Sequence, residues 1–193
     1  MNTGLKIYTK CIANRLKLQL NSFLQIYQYA APGQQITNAT TLLRGLFDYD
    51  TSRNLEVYFI SLDFEKAFDG VNHDWLYHVM KKIGLPKHFI HIVKTLYTNA
   101  RSRILVNGHL TKPIELKKGV HQGDPLSLYL FLIAINPLAV KIQDDITIQG
   151  IKLPGRHSVK CPSYADDITL TLIGKASLRA AFRVLENLKQ YQA

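Results

Sequence analysis

Ser163-Tyr164-Ala165-Asp166-Asp167-Ile168-Thr169-Leu170-Thr171-Leu172 is the stretch that decides how the chain is read. Its second half alternates apolar and hydroxylated side chains with the period of two that marks a strand with one buried face. Ser158 to Ser163 has a similar β-rich character, so the two acids stand at the turn between two strands. Taken alone, an Asp-Asp pair is most often a solvated turn. Two other stretches answer it. In Ser61-Leu62-Asp63-Phe64-Glu65-Lys66-Ala67-Phe68-Asp69, a run of strand formers (Leu55, Val57, Tyr58, Phe59, Ile60) delivers Asp63 at its end. In Gly119-Val120-His121-Gln122-Gly123-Asp124-Pro125-Leu126-Ser127, a glycine-punctuated loop opens an apolar helix.

Acids so placed suit phosphoryl transfer. Attack of a hydroxyl on a nucleoside triphosphate requires a lowered hydroxyl pKa and neutralised charge on the attacking and leaving oxygens. Two divalent ions about 3.5–4 Å apart supply both, held by hard oxygen ligands. Asp63 and the Asp166-Asp167 pair would meet if their strands were neighbours in an antiparallel sheet. Adjacent side chains of a regular strand point to opposite faces, so both members of the pair face one metal only where the turn redirects one of them. Asp166 is the expected direct ligand, with Asp167 second to it.

Composition is compatible with this chemistry without requiring it. The 193 residues, 47% of them hydrophobic, are enough to bury a core, and one folded unit with two lobes is the expectation. The formal charge of +10 suits a partner carrying phosphates, although ribosomal and membrane-surface proteins share such a balance. Cys11 and Cys161 are too few and too far apart for a disulfide framework or a zinc site, which fits a reducing intracellular compartment. Met1 to Lys10 lacks the apolar core of a signal peptide, and Asn136-Pro137 interrupts the most apolar run, Leu126 to Ile142. Neither export nor a membrane span is expected.

Leu5, Tyr8, Ile12, Leu16 and Leu20 recur at helical steps beside Lys6, Lys10 and Lys17, a basic face that is either solvated or in contact with phosphate. Ala31-Pro32-Gly33 breaks the chain, Ala39 to Phe47 restarts a helix, and polar Asp48 to Asn54 reads as a loop. Asn72 is the expected N-cap of a helix carrying Leu76, Val79, Met80 and Ile83, stopped by Gly84 and Pro86; a further helix covers about 87–98. Asn107-Gly108, between Arg103–Val106 and Leu110–Leu116, predicts a two-residue hairpin turn. Asp124-Pro125 reads as N-cap and first helical residue of a buried helix that Pro137 should kink or end. Short strands are expected over Ile146 to Leu153, and a closing helix over Lys175 to Gln192 has Leu178, Phe182, Leu185 and Leu188 along one side. The order is mixed α+β, with an antiparallel sheet covered by helices on one face.

LDFEKAFD, GVHQGDPLS and SYADD, in that order and separation, resemble the palm blocks of reverse transcriptases. LKIYTKCIANRLK, APGQQITNATTLL, DGVNHDWL, LYTNARSRILVNG and GIKLPG extend the resemblance over nearly the whole chain and narrow it to the non-LTR, LINE-like retrotransposon branch. The resemblance implies a right-hand polymerase fold, with about 1–55 and 84–118 fingers-like, about 56–83 and 119–193 palm-like, and the thumb absent. It implies RNA-directed DNA synthesis from dNTP on an RNA template and DNA primer. Asp63, Asp166 and Asp167 would then be the catalytic, metal-binding acids for two Mg2+ ions, with Mn2+ as the alternative. Phe68 matches the aromatic position that faces the sugar and would clash with a 2′-hydroxyl; otherwise it is a core Phe. Gln122 and Gly123 match the turn near the nascent base pair, and Phe64 and Ala165 would offer backbone to the triphosphate.

Three positions depart from the family pattern: Gln34 where a basic residue commonly follows Pro-Gly, His121 where Arg is usual, and Leu128 where Pro is usual. With no thumb after the last helix and no endonuclease domain before the first, they leave two other readings open. One is a catalytically inactive RNA-binding remnant or domesticated domain. The other is a viral RNA-dependent RNA polymerase, against which Phe68 and the non-LTR-like flanks argue.

Overall fold

The structure is a computed structural model and describes residues 3–25, 27–53, 56–155 and 158–192. Leu55 and the side chain of Leu188, both named above as apolar positions, lie outside what is described. In chain order come α1 (Thr3–Leu20), α2 (Ile36–Arg53), β1 (Val57–Leu62), α3 (His73–Lys82), α4 (Lys87–Tyr97), β2 (Arg101–Ser102) and β3 (Leu105–Val106). There follow β4 (His109–Leu110), β5 (Ile114–Glu115), α5 (Ser127–Asp144), β6 (Ile151–Lys152), β7 (Ser158–Val159), β8 (Ser163–Tyr164), β9 (Asp167–Ile173) and α6 (Gly174–Gln192).

The alternating stretch becomes β9, the middle strand of a three-stranded antiparallel sheet ordered β1-β9-β8. Because the side-chain period is two, its cross-strand pairs sort onto two faces. Tyr58 opposite Leu172, Ile60 opposite Leu170 and Leu62 opposite Ile168 join the larger core with α1, α3 and α5. On the other face, Val57 opposite Ile173 and Phe59 opposite Thr171 pack with Leu42 and Leu46 of α2 and with Ile151 and Val159. The Phe59 ring lies 5.8 Å from that of Phe47. Helices thus cover one face along its length and the second face at one end. At the other end of that second face the next pair, Ser61 opposite Thr169, is left exposed and half-buried.

Helix α5, apolar on nearly every side, is the centre of the core: Leu130, Leu132, Ile133 and Ile142 have almost no exposed surface. Of the two outcomes expected at Pro137, a kink or an end, the helix does not end there but continues to Asp144. Tertiary bonds pin that turn: Asn136 donates to the Phe23 carbonyl (2.9 Å) and accepts from the Gln25 amide (2.8 Å), while the Trp75 indole donates to the Ala134 carbonyl (2.9 Å). The helix also starts later than predicted. The Asp124 carboxylate accepts from the Leu126 amide (3.4 Å) and its carbonyl from the Ser127 amide (3.1 Å), so Asp124 closes a turn before the helix instead of capping it.

Two other expectations are corrected. Asp48 to Arg53 continues α2, since nothing in that polar stretch breaks a helix. The strand expected from Ile146 shrinks to β6: Asp145 binds the Thr147 amide (2.8 Å) and hydroxyl (2.6 Å), folding the chain into a turn that leaves Ile146 exposed. The Asn72 cap is as expected, its side chain accepting from the Trp75 amide at 3.1 Å. At the hairpin tip Asn107 and Gly108 both have positive φ (49° and 82°), as a type I′ turn requires.

The two cysteines differ sharply. Cys11 is exposed, whereas Cys161 is buried and its thiol is pushed up to about 12 by desolvation. A thiol reagent at neutral pH should therefore titrate one cysteine in the native chain and the second only after denaturation, as a colorimetric thiol count would read.

Candidate active site

The antiparallel ladders end beside the acids. The last β1–β9 pair, Leu62 with Ile168, is followed by Asp63 on one strand and preceded by Asp167 on the other, so one more step of the same register would set these two residues opposite each other. That step falls on the face left uncovered beyond Ser61 and Thr169. Tyr164 pairs with Asp167 across β8–β9, which makes Ala165 and Asp166 the two corner residues of the turn. Asp63 and Asp167 are exposed and Asp166 is half-buried. The register therefore favours Asp167 as the cross-strand partner of Asp63, with Asp166 at the tip beside them.

Among the described residues four other than glycine have positive φ, and two of them, Asn99 and Asn107, are of the type that tolerates it. The other two are Lys66 and Ala165, both at 54°, one in the loop after Asp63 and one in the turn before Asp166. Each such conformation costs on the order of 1–3 kcal/mol and persists only where its surroundings hold it. At Ala165 the holder is visible. Buried Gln28 accepts from the Ala165 amide at 2.9 Å and approaches its carbonyl through Nε2 at 3.4 Å. The flanking segment runs alongside β8, with the Tyr29 amide on the Ser163 carbonyl (2.7 Å) and the Ser163 amide on the Tyr27 carbonyl (2.9 Å).

The loop after Asp63 is joined to the glycine-punctuated loop. The Val120 amide donates to the Phe68 carbonyl (2.8 Å), the Gly119 amide to the Val71 carbonyl (2.8 Å), and the Gln122 side chain to the Asp69 carboxylate (3.2 Å). His121 to Asp124 forms a tight turn closed by the Asp124 amide on the His121 carbonyl (3.2 Å), with Gly123 at φ 77°. Positive φ at the third position of such a turn is the type II pattern and explains the glycine.

Of the nucleotide-binding candidates, Gln122 is exposed, and Ala165 is buried and locked from behind. Phe68 is half-buried and stacks on Phe131 of α5, ring centroids 4.8 Å apart at 23°. Phe64 lines a crevice with Trp75 and Phe131, between its loop, α3 and α5. His121 stacks on Tyr97 at 5.0 Å, and the Gln34 side chain accepts from Asn38 at 3.0 Å. Gln28 and Asp69 were not singled out by sequence reasoning. Neither lies on a periodic face or in a glycine-rich turn, so only the folded backbone reveals them.

Among the described residues no three His, Cys, Asp or Glu side chains converge into a set able to hold a metal ion by themselves. The donors nonetheless fit Mg2+, which prefers hard oxygens and is usually bound by one or two carboxylates together with water and substrate phosphates.

Comparison with known proteins places this arrangement in a class. The family model for Reverse transcriptase (RNA-dependent DNA polymerase) matches residues 1–192. The Transposon TX1 uncharacterized 149 kDa protein of Xenopus laevis is 34% identical over 88% of the chain, and the Pol polyprotein of the type-1 retrotransposable element R2 of Popillia japonica is 32% identical over 58%. The chain spans only 13% and 18% of those two proteins. An apo telomerase from Candida tropicalis, truncated from its C-terminal domain, superposes with a TM-score of 0.63 at 16% identity, covering 94% of this chain and 38% of that one. It shows the fold alone.

The chain belongs to the reverse transcriptase family, in its non-LTR retrotransposon branch. Its mixed α+β architecture is that of polymerase fingers and palm. The family generally uses divalent metal ions and works on a nucleic-acid template and primer. Among the described residues no helix is long and apolar enough to cross a membrane.

Proposed function

We propose that the chain carries the catalytic centre of an RNA-directed DNA polymerase, transferring nucleotides from dNTP to a primer 3′-hydroxyl on an RNA template. One observation supports this reading: the β1–β9 ladder ends with Leu62 opposite Ile168, one residue from Asp63 on one strand and from Asp167 on the other. Two Mg2+ ions held by Asp63, Asp166 and Asp167 with the nucleotide's phosphates would lower the pKa of the attacking hydroxyl and neutralise the leaving group. The remaining work falls to the chain. Phe64 presents backbone to the triphosphate and Gln122 and Gly123 border the nascent pair, whereas Ala165, expected from sequence to do as Phe64 does, has its amide and carbonyl engaged by Gln28 and serves instead to place the acids. The palm-like part, 56–83 and 119–193, contains β1, β8, β9 and the helices α3, α5 and α6 behind them; 1–55 and 84–118 are the fingers-like part.

Primer extension on an RNA template by a form extended at its C-terminus tests the proposal. Mg2+-dependent cDNA from that form supports it. An extended form that binds template and primer yet makes no cDNA would favour the inactive RNA-binding reading.

Phe68→Val gives a finer test. Removing the ring should raise ribonucleotide incorporation relative to deoxynucleotide by at least roughly tenfold, since a steric gate acts by excluded volume. It should also cost about 1–3 kcal/mol of stability, because the contact with Phe131 is lost. Loss of stability with unchanged sugar selection would make Phe68 a packing residue only.

A further inference from the structure

We propose that Gln28 is a positioning residue for the active site: its amide group clamps the peptide of Ala165 and so sets where Asp166 and Asp167 project. The inference rests on the polymerase reading above and extends it to a residue far from the acids in sequence. Gln28 is 5% exposed, and every polar atom of its side chain is committed. Its Oε1 accepts from the Ala165 amide (2.9 Å) and from the Ala30 amide (3.0 Å), and its Nε2 faces the Ala165 carbonyl (3.4 Å). A side-chain amide that meets both the N–H and the C=O of one residue imitates a neighbouring strand at a place where none is available, because the turn ends the β8–β9 ladder.

The residue so gripped is the one least suited to its conformation. Ala165 has φ 54°, and the glycine that commonly relieves this at a hairpin corner is absent. Relaxation of φ at Ala165 would swing the following residue, Asp166, and shift the start of β9 at Asp167. Hydrogen bonds of Tyr27 and Tyr29 to Ser163 hold the Gln28 backbone alongside β8, so the clamp is anchored to the same sheet as the acids it aims.

Gln28→Met, similar in length but unable to hydrogen-bond, is the test variant, and Gln28→Glu, which keeps an acceptor for the two amides, accompanies it should the first fail to fold. Amide exchange of a peptide spanning Ala165 should quicken by about fivefold or more in Gln28→Met, as expected for one lost hydrogen bond. Mn2+ titrated in the presence of dNTP should bind at least roughly tenfold more weakly. In the extended form kcat should fall about a hundredfold, the usual consequence of a misplacement of about 1 Å, with KM for primer-template nearly unchanged. Faster exchange at Ala165 with Mn2+ affinity and kcat both within about twofold of the parent would overturn the proposal and leave Gln28 a purely structural residue. A parent that makes no cDNA would refute the polymerase reading instead; the exchange and Mn2+ measurements would then decide the clamp by themselves.

Discussion

Replacing Asp63 or Asp166 by Ala in an active form should lower RNA-templated DNA synthesis by at least roughly a hundredfold to a thousandfold, the range seen when one preorganised charge-stabilising group is removed. Folding should hardly change. Asp63 is exposed and Asp166 half-buried, and surface substitutions of this kind usually stay within about 0.5 kcal/mol. The sign is informative as well: relieving repulsion between acids facing each other across the ladder should leave the melting temperature equal or slightly higher. Mg2+ should raise the melting temperature of the parent and fail to do so in either variant, because only a site that binds the ion gains stability from it. Asp167→Ala tests the register, which makes it the cross-strand partner of Asp63 and predicts a loss as large. Synthesis at more than about a tenth of the parental rate in Asp166→Ala would exclude that residue from the reacting centre, and a melting temperature lowered by several degrees would mark the acids as structural.

The largest effect on folding is expected at Gly150. A Cβ placed there would lie 2.1 Å from the Val159 carbonyl oxygen and 2.6 Å from Cγ of Lys160, and the first of these is backbone that cannot swing aside. The crowding has a clear origin. Gly150 bridges to Leu172, and the Thr171 amide and hydroxyl both donate to the adjoining 159–160 segment (2.9 Å each), so the chain is held on both sides. Gly150→Ala should therefore cost about 3 kcal/mol or more. At about 2–4 °C per kcal/mol for a chain of this size, that is a fall in melting temperature of roughly 6–12 °C. Gly45→Ala is the contrasting case, lying in α2 with nothing near its Cβ; it should stabilise by about 0.5–1 kcal/mol. Equal melting temperatures for the two variants would show that the strands around Gly150 separate at little cost.

What could be read in advance was whatever depends on local periodicity. Alternation over Ile168 to Leu172 gave β9, the strand formers ahead of Asp63 gave β1, and Asn107-Gly108 gave a hairpin turn. The errors occurred where distant groups override local preference. Pro137 looked like a place where the helix would kink or end, and that it does not end there depends on bonds from Asn136 and Trp75 that reach residues far away in the chain. Asp124 looked like a cap, but it closes a turn that follows the one at Gly123 and the helix begins two residues later than expected. The acids stood out as candidates by their strand context, whereas Gln28 was invisible: a glutamine in an irregular aromatic segment carries no pattern, and its meaning depends on Ala165, well over a hundred residues away.

The same ladder has a consequence for how the protein comes into being. Asp63 and Asp167 are separated by about a hundred residues, and no contact near either in sequence can bring them together. Closing so long a loop is slow compared with forming the helices, which depend on neighbours a few positions away. During synthesis β1 emerges first and waits with an unpaired edge on the side that β9 will occupy, while α3, α4 and α5 form behind it. Until β9 has left the ribosome β1 lacks this partner, and Asp63 and Asp167 have nothing to bring them together. The meeting of the two acid-bearing strand ends and the covering of that edge of β1 arrive in a single event.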